Sequence, residues 1–260
     1  MSYRAIFEEM RRDETHGASW YFDKALDAAE KALGETDQES FINELINIRR
    51  GMASLAFIAN ALSRFGMSVE TISALRRYGK EARHALSGAH REGTVLTISY
   101  SSAVSLVFGS SIRYVLESRP GNEAEELVKR FPGIVMVPDS AVAQFAAEVD
   151  IIAVGTDGIY LDYILNKVGT LPLALVARHL GKPFIVVGES FKAQQHNANC
   201  NDLHRVEFRG VPVKLFDCVP TQLIDLFITD VGEFRPGRGT AIDIYEAAMR
   251  RISDYLYSAN

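Results

Sequence analysis

Residues 150–192 read DIIAVGTDGIYLDYILNKVGTLPLALVARHLGKPFIVVGESFK. The apolar run Ile151-Ile152-Ala153-Val154 ends in Gly155-Thr156-Asp157-Gly158 and leads through Asp162 to Asn166-Lys167-Val168-Gly169-Thr170. A second run, at 184–187, ends in Glu189-Ser190-Phe191-Lys192. Two continuous apolar runs flanking a helical stretch read as strands buried on both faces, and hence as a parallel sheet. Such a sheet holds its ligand beyond the carboxyl ends of its strands, where these polar and glycine-rich residues fall.

The same alternation extends outward. Short β-branched runs at 94–98, 114–116, 134–137, 213–216 and 226–228 join the two above, with helical stretches at 103–112, 122–131, 141–147, 171–180 and 241–257. Strands separated by helices predict crossover units and a doubly wound parallel sheet. Before residue 92 the pattern is different: apolar residues recur at three- and four-residue spacing over 2–10, 19–33, 39–48, 54–65 and 69–89, the helical period. Gly17, Gly34, Gly51 and Gly66 fall between these stretches, where chain reversals occur. The expected organisation is α/β, with an N-terminal helical domain over 1–91 and the sheet domain over 92–260. The polar segment 193–210 reads as one long loop.

Composition narrows the functional classes. The chain has 260 residues, 47% of them hydrophobic and 23% charged, and a formal net charge of -5. A small acidic excess leaves no surplus of cations to neutralise many phosphates, so direct nucleic-acid binding is not expected. No uncharged apolar run reaches the roughly 18 residues of a membrane span, so the reading is cytoplasmic, with no membrane partner. Cys200 and Cys218 have neither metal-ligand spacing nor the density of a disulfide scaffold and read as reduced. The histidines show no metal spacing, so neither a metal nor a cofactor is expected.

Five predicted strands end in polar residues: Ser99-Tyr100-Ser101-Ser102, Glu117-Ser118-Arg119-Pro120, Pro138-Asp139-Ser140, Gly155-Thr156-Asp157 and Glu189-Ser190. Hydroxyls, helix-start amides, an arginine and lysines are the donors that hold a phosphorylated small molecule. Each residue also has a purely structural reading, as a cap, a turn former or a solvated charge. No Gly-x-Gly-x-x-Gly follows a strand and no P-loop lysine motif is present, which argues against a dinucleotide or triphosphatase site.

These motifs, taken in order with Ile228-Thr229-Asp230-Val231-Gly232, resemble the translation initiation factor 2B alpha/beta/delta family. That family also includes methylthioribose-1-phosphate isomerase and the archaeal ribose-1,5-bisphosphate isomerase. The resemblance covers residues 90–260 and extends to Ile48-Arg49-Arg50-Gly51-Met52-Ala53 and His16-Gly17-Ala18-Ser19. It implies a Rossmann-like sheet, a homodimer, an archaeal source and a pocket for a phosphorylated sugar or nucleotide. By resemblance, Arg50, Gly51, Arg119, Asn166, Lys167 and Lys192 would bind substrate. In the isomerases a cysteine after the first strand and an aspartate before the Asn-Lys segment act as acid and base. Here Ser99 stands at the cysteine position, and Asp162 either occupies the aspartate site or sits beside it. Since a serine hydroxyl is far less acidic than a thiol, the resemblance favours an alpha-like regulatory subunit linked to translation initiation, with translation initiation factor 2 as a possible partner. A sugar-phosphate aldose-ketose isomerase is the alternative.

Overall fold

Local chemistry sets the helix starts in the first third of the chain. In the computed structural model, which describes residues 2–13, 16–49, 51–201 and 203–258, α1 (Tyr3–Arg12), α2 (Ala18–Ala32), α3 (Gln38–Ile46), α4 (Ala53–Phe65) and α5 (Val69–Ser87) form the N-terminal part. Ser2, Asp37 and Ser68 cap α1, α3 and α5 by accepting from the amides of Ala5, Ser40 and Thr71. The aromatic faces of these helices meet inside, with Phe7 5.3 Å from Phe41 between ring centres.

The remainder alternates strand and helix. β1 (Val95–Ile98), α6 (Ser102–Phe108), β2 (Ile112–Leu116), α7 (Glu123–Arg130), β3 (Val135–Val137), α8 (Val142–Ala147) and β4 (Ile151–Val154) come first. A hairpin of β5 (Gly158–Ile159) and β6 (Tyr163–Lys167) follows, then α9 (Thr170–Leu180) and β7 (Phe184–Val187). β8 (Arg205–Phe208), β9 (Val211–Lys214), β10 (Phe216–Pro220), β11 (Leu226–Thr229), β12 (Gly232–Phe234) and α10 (Thr240–Tyr257) complete the chain.

Seven strands make the central sheet, in the order β12-β11-β7-β4-β1-β2-β3. All neighbours are parallel except β12, which pairs antiparallel with β11. The chain winds outward from β1 through β2 and β3, then returns to β4 on the other side of β1. The carboxyl ends of β1 and β4 therefore flank the point where strand order reverses, and a crevice opens there.

The expected helix over 103–112 stops at Phe108: Gly109 turns the chain at φ 41, and the β-branched Ile112 opens β2. The run at 213–216 does not enter the central sheet. It is split between β9, which pairs with β8, and β10, which pairs antiparallel with β6. The loop read over 193–210 accordingly ends in β8.

One reading is overturned outright. Cys200 and Cys218 form a disulfide, with their Cα atoms 6.3 Å apart. Pairing of β10 with β6 sets Cys218 opposite Leu165, and the segment bearing Cys200 lies over the same small core, where Leu203 joins Leu165, Leu215 and Phe216. Antiparallel proximity of this kind leaves no trace in cysteine spacing.

The helical part and the sheet share one core. Phe191, in the turn after β7, is fully buried, stacked on Phe22 of α2 at 4.1 Å and 6.5 Å from Phe57 of α4. Gly79 of α5 makes room for this: a Cβ there would lie 2.7 Å from the Phe22 ring.

The bridge closes a loop across a separation of 18 residues. Cys200→Ser is expected to cost about 3 kcal/mol through the restored freedom of the unfolded chain. Calorimetry should then show a Tm lowered by roughly 6 to 12 °C.

Candidate functional site

The crevice at the strand reversal is a cavity of about 760 Å³. Its walls come from the start of α2 (His16, Gly17, Ala18, Ser19, Trp20), from Arg49 and Met52, from the end of β1 through Ser102, from α7 and the turn before it, and from Gly155, Thr156 and Asp157 after β4. Asn166, Lys167, Lys192, Leu215 and Phe216 close it.

Ser99 sits in the left-handed region, with φ 64, a conformation that costs a non-glycine residue of order 1–3 kcal/mol. Neighbouring strand ends hold it there. Ser118, itself at φ 69, accepts from the Ser99 amide at 2.6 Å and donates to the Leu116 carbonyl at 2.7 Å. The Asp139 carboxylate in turn accepts from the amides of Ser118 and Arg119 at 2.9 and 2.8 Å. The polar ends of β2 and β3 therefore shape the end of β1. The Arg119 side chain is exposed, bonded to Asn122 at 2.5 Å and 3.5 Å from Glu117, and lies outside the cavity lining.

Asn166 and Lys167 come to the cavity on β6, which β10 holds in register, Asp217 opposite Asn166 and Phe216 opposite Lys167. The Asp217 carboxylate accepts from the amides of Gly169 and Leu171 at 2.8 and 2.9 Å, capping α9. Gly169 turns the chain at φ 100, and a Cβ there would also lie 2.8 Å from Ile98. The Asn166 amide group donates to Thr170 at 3.0 Å.

Each buried cation in the lining faces a carboxylate. Lys167 lies 2.6 Å from Glu123, Lys192 2.8 Å from Glu189, and Arg49 3.8 Å from Asp13. Arg49 also donates to Tyr21 at 2.5 Å. Glu189 is fully buried. Burial pushes its carboxyl up, but Lys192 and the hydroxyl of Ser19, 2.7 Å away, bring it below the ordinary range. The wet rim adds Lys129 and Arg130 from α7, and Trp20 stacks on His16 at 4.5 Å.

Of the other residues singled out in the sequence, Asp162 lies elsewhere. It is exposed at the tip of the β5–β6 hairpin and held by the Asn197 side chain at 2.6 Å. The aspartate of this stretch that does face the cavity is Asp157, four residues upstream of the hairpin tip's Leu161. Its burial pushes its pKa up, against the opposing pull of Lys192, Arg49 and the Ala18 amide. Within the motif Gly155-Thr156-Asp157-Gly158, Asp157 is a site residue that residue type alone does not mark; its position directly after β4, at the strand reversal, is the signal that does. Gly51, at φ 88, packs against Leu203 and Leu165 while its neighbours Arg49 and Met52 line the cavity. Arg50 lies outside the described residues. Among the described residues no group of three His, Cys, Asp or Glu is placed to hold a metal ion, and no helix is long and apolar enough to cross a membrane.

A doubly wound sheet with a polar, charge-paired cavity at its strand reversal defines the chain as an α/β protein of the open-sheet class, and comparison with known proteins narrows it. Residues 28–236 match the model of the initiation factor 2 subunit family, and the chain belongs to that family. A putative translation initiation factor eIF-2B subunit 2-like protein of Pyrococcus furiosus is 29% identical over 90% of this chain and 96% of its own length. A ribose 1,5-bisphosphate isomerase of Archaeoglobus fulgidus is 28% identical over 88% of each chain. The crystal structure of a Pyrococcus horikoshii translation initiation factor eIF-2B superposes with a TM-score of 0.79 and 26% identity, covering 91% of this chain and 98% of the other.

Folding raises the Asp157 pKa, so its contribution to stability is complete below the unfolded value of about 3.9 and is lost as pH rises through the folded value. Asp157→Asn is therefore expected to raise Tm at pH 7, with the gain over the parent shrinking toward zero as pH falls to about 3.5. Thermal melts across that range check it; a lower Tm at pH 7 would show that the charge is stabilising.

Proposed function

We propose that the protein binds a sugar phosphate or nucleotide in this cavity as a regulatory subunit of the translation-initiation type rather than as an isomerase. The observation that carries the reading is Ser99. It stands at the end of β1, where the resemblance places an acidic thiol, and its hydroxyl remains protonated near neutral pH. The donors suited to a phosphorylated ligand are present around it: Lys167, Lys192, Arg49 and Asn166. The relative named as a ribose 1,5-bisphosphate isomerase supports a phosphorylated ligand in general, and the one named as a putative translation initiation factor eIF-2B subunit 2-like protein supports the link to translation initiation.

One observation favours the isomerase alternative. Asp157 faces the cavity and burial raises its pKa, the direction in which a carboxylate becomes a better proton acceptor. In that reading Asp157, rather than Asp162, would be the base, and another group would have to supply the acid.

A thermal-shift screen against sugar phosphates and nucleoside monophosphates tests binding. A ligand at 100 times its Kd adds about 2.7 kcal/mol, which for a chain of this size raises Tm by roughly 5 to 10 °C. The double variant Lys192→Met, Glu189→Gln removes the buried pair without leaving either charge alone and is expected to lose the shift. A turnover assay on ribose 1,5-bisphosphate and methylthioribose 1-phosphate separates the two readings. The parent is expected to be inactive and Ser99→Cys to gain isomerization; turnover by the parent would overturn the regulatory reading. Recovery of translation initiation factor 2 from a source lysate is the expected partner result, and its absence would count against the assignment to translation.

A further inference from the structure

The bridge between Cys200 and Cys218 lies near the surface: both residues are half-buried, and Asn199, Asn201 and Pro220 beside them are exposed. It pins a segment with little else to hold it. Among the described residues, none of 195–201 makes a backbone-to-backbone hydrogen bond with a strand. Side chains attach the segment instead. The Asn197 amide group donates to Asp162 at 2.6 Å, the Tyr163 hydroxyl donates to the Ala198 carbonyl, and the Lys214 ammonium donates to the Cys200 carbonyl at 3.0 Å. Each is a single polar contact that water can replace at small net cost, so the covalent bond is the strongest tie.

Beneath the bridge lies one wall of the cavity. Cys218 stands on β10 opposite Leu165 of β6, and the two residues before it in β10, Asp217 and Phe216, stand opposite Asn166 and Lys167. Asn166, Lys167, Leu215 and Phe216 all line the cavity. Leu203, just past the bridged segment, packs with Leu165, Leu215 and Phe216 in the small core under this wall. It also lies 3.0 Å from where a Cβ on Gly51 would be, between Arg49 and Met52 of the lining. The cover that the bridge holds down is therefore the outer side of the strands that carry Asn166 and Lys167.

We propose that the Cys200–Cys218 bridge is a site of thiol–disulfide exchange, a reversible switch through which a dithiol reductant loosens the β6–β10 wall of the cavity. Exchange requires a thiolate to reach a bridge sulfur, and accessible disulfides are the labile ones. A thiolate of the dithiol attacks one sulfur, forming a mixed disulfide and releasing the other cysteine as a thiolate, which takes a proton. The second thiol of the reductant then attacks the mixed disulfide, leaving the reductant oxidised and the second cysteine free. Two electrons and two protons pass from the dithiol to the bridge. Segment 195–201 then lifts from its polar contacts, and the small core beneath it loses its cover. The switch acts on the wall whatever the cavity binds and is independent of the function proposed above.

Hydrogen exchange of the full chain, followed by mass spectrometry before and after dithiothreitol in native buffer, tests this, with thiol alkylation reporting the state of the bridge. Complete opening without denaturant is expected. Amides in 195–201, 163–167 and 216–219 should then exchange about tenfold faster, with those of 95–98 and 151–154 unchanged and the whole effect reversed on reoxidation. A bridge that opens only in denaturant, or faster exchange spread evenly over the chain, would mark a structural staple and overturn the switch. Unchanged exchange, or a change confined to 195–201, would overturn its hold on the wall. The double variant Cys200→Ser, Cys218→Ser is expected to show the reduced pattern with and without dithiothreitol, and a remaining response to the reductant would overturn the assignment to this bridge. Because the comparison is made first on the unaltered chain, the test stands even if the variant fails to fold.

Discussion

The turn Glu189-Ser190-Phe191-Lys192 joins this molecule together. It leaves the carboxyl end of β7 and enters the helical layer with all four residues buried. Phe191 stacks on Phe22, and burying such a ring is worth about 1.5 to 3 kcal/mol. Ser190 donates to Asp230 at 2.8 Å and meets the hydroxyl of Tyr78 from α5, which also donates to Asp230 at 3.0 Å. Burial, reinforced by Asp230, pushes the Tyr78 phenol well above its usual value, so it remains a donor. Lys192 and Glu189 complete the turn as a buried ion pair, and removing one partner of such a pair costs about 3 to 5 kcal/mol. The same four residues thus fix the helices on the sheet and supply one wall of the cavity, so the site exists only when the two layers are docked.

That construction explains the charge pattern of the cavity. Cations that would be expensive to bury alone are carried into the interior by carboxylates: Lys192 by Glu189, Lys167 by Glu123, Arg49 by Asp13. An anionic ligand therefore meets paired cations, and the positions of the carboxylates matter as much as those of the lysines. Glu189 is fully buried and outside the cavity lining, whereas Glu123 is part of the lining.

Periodicity made most of the fold legible because the strands of the central sheet are buried on both faces. Ile151–Val154 and Phe184–Val187 carry that signal in its plainest form. The hairpin bearing Asn166 and Lys167 was hidden, since β6 pairs with β5 and β10 outside the main sheet and no local pattern announces that partner. The disulfide was hidden for the same reason. At the site, Asn166, Lys167, Lys192 and Ser99 were readable as motif residues at strand ends, and all four line the cavity. Arg119 and Asp162 were not separable from them by residue type: Arg119 is turned outward while its amide binds Asp139, and Asp162 caps a hairpin tip. Asp157 was concealed by its own motif, because an aspartate followed by a glycine reads as a turn former until the strand reversal is located. The opposing carboxylates Glu123 and Glu189 required the three-dimensional arrangement.

A crystal structure of the protein soaked with a sugar monophosphate tests the central claim most directly. Phosphate density at the strand reversal between β1 and β4, within hydrogen-bonding distance of Lys192 or Arg49, is the predicted result. Density confined to the outer surface, with the cavity holding only water at saturating ligand, would contradict the account.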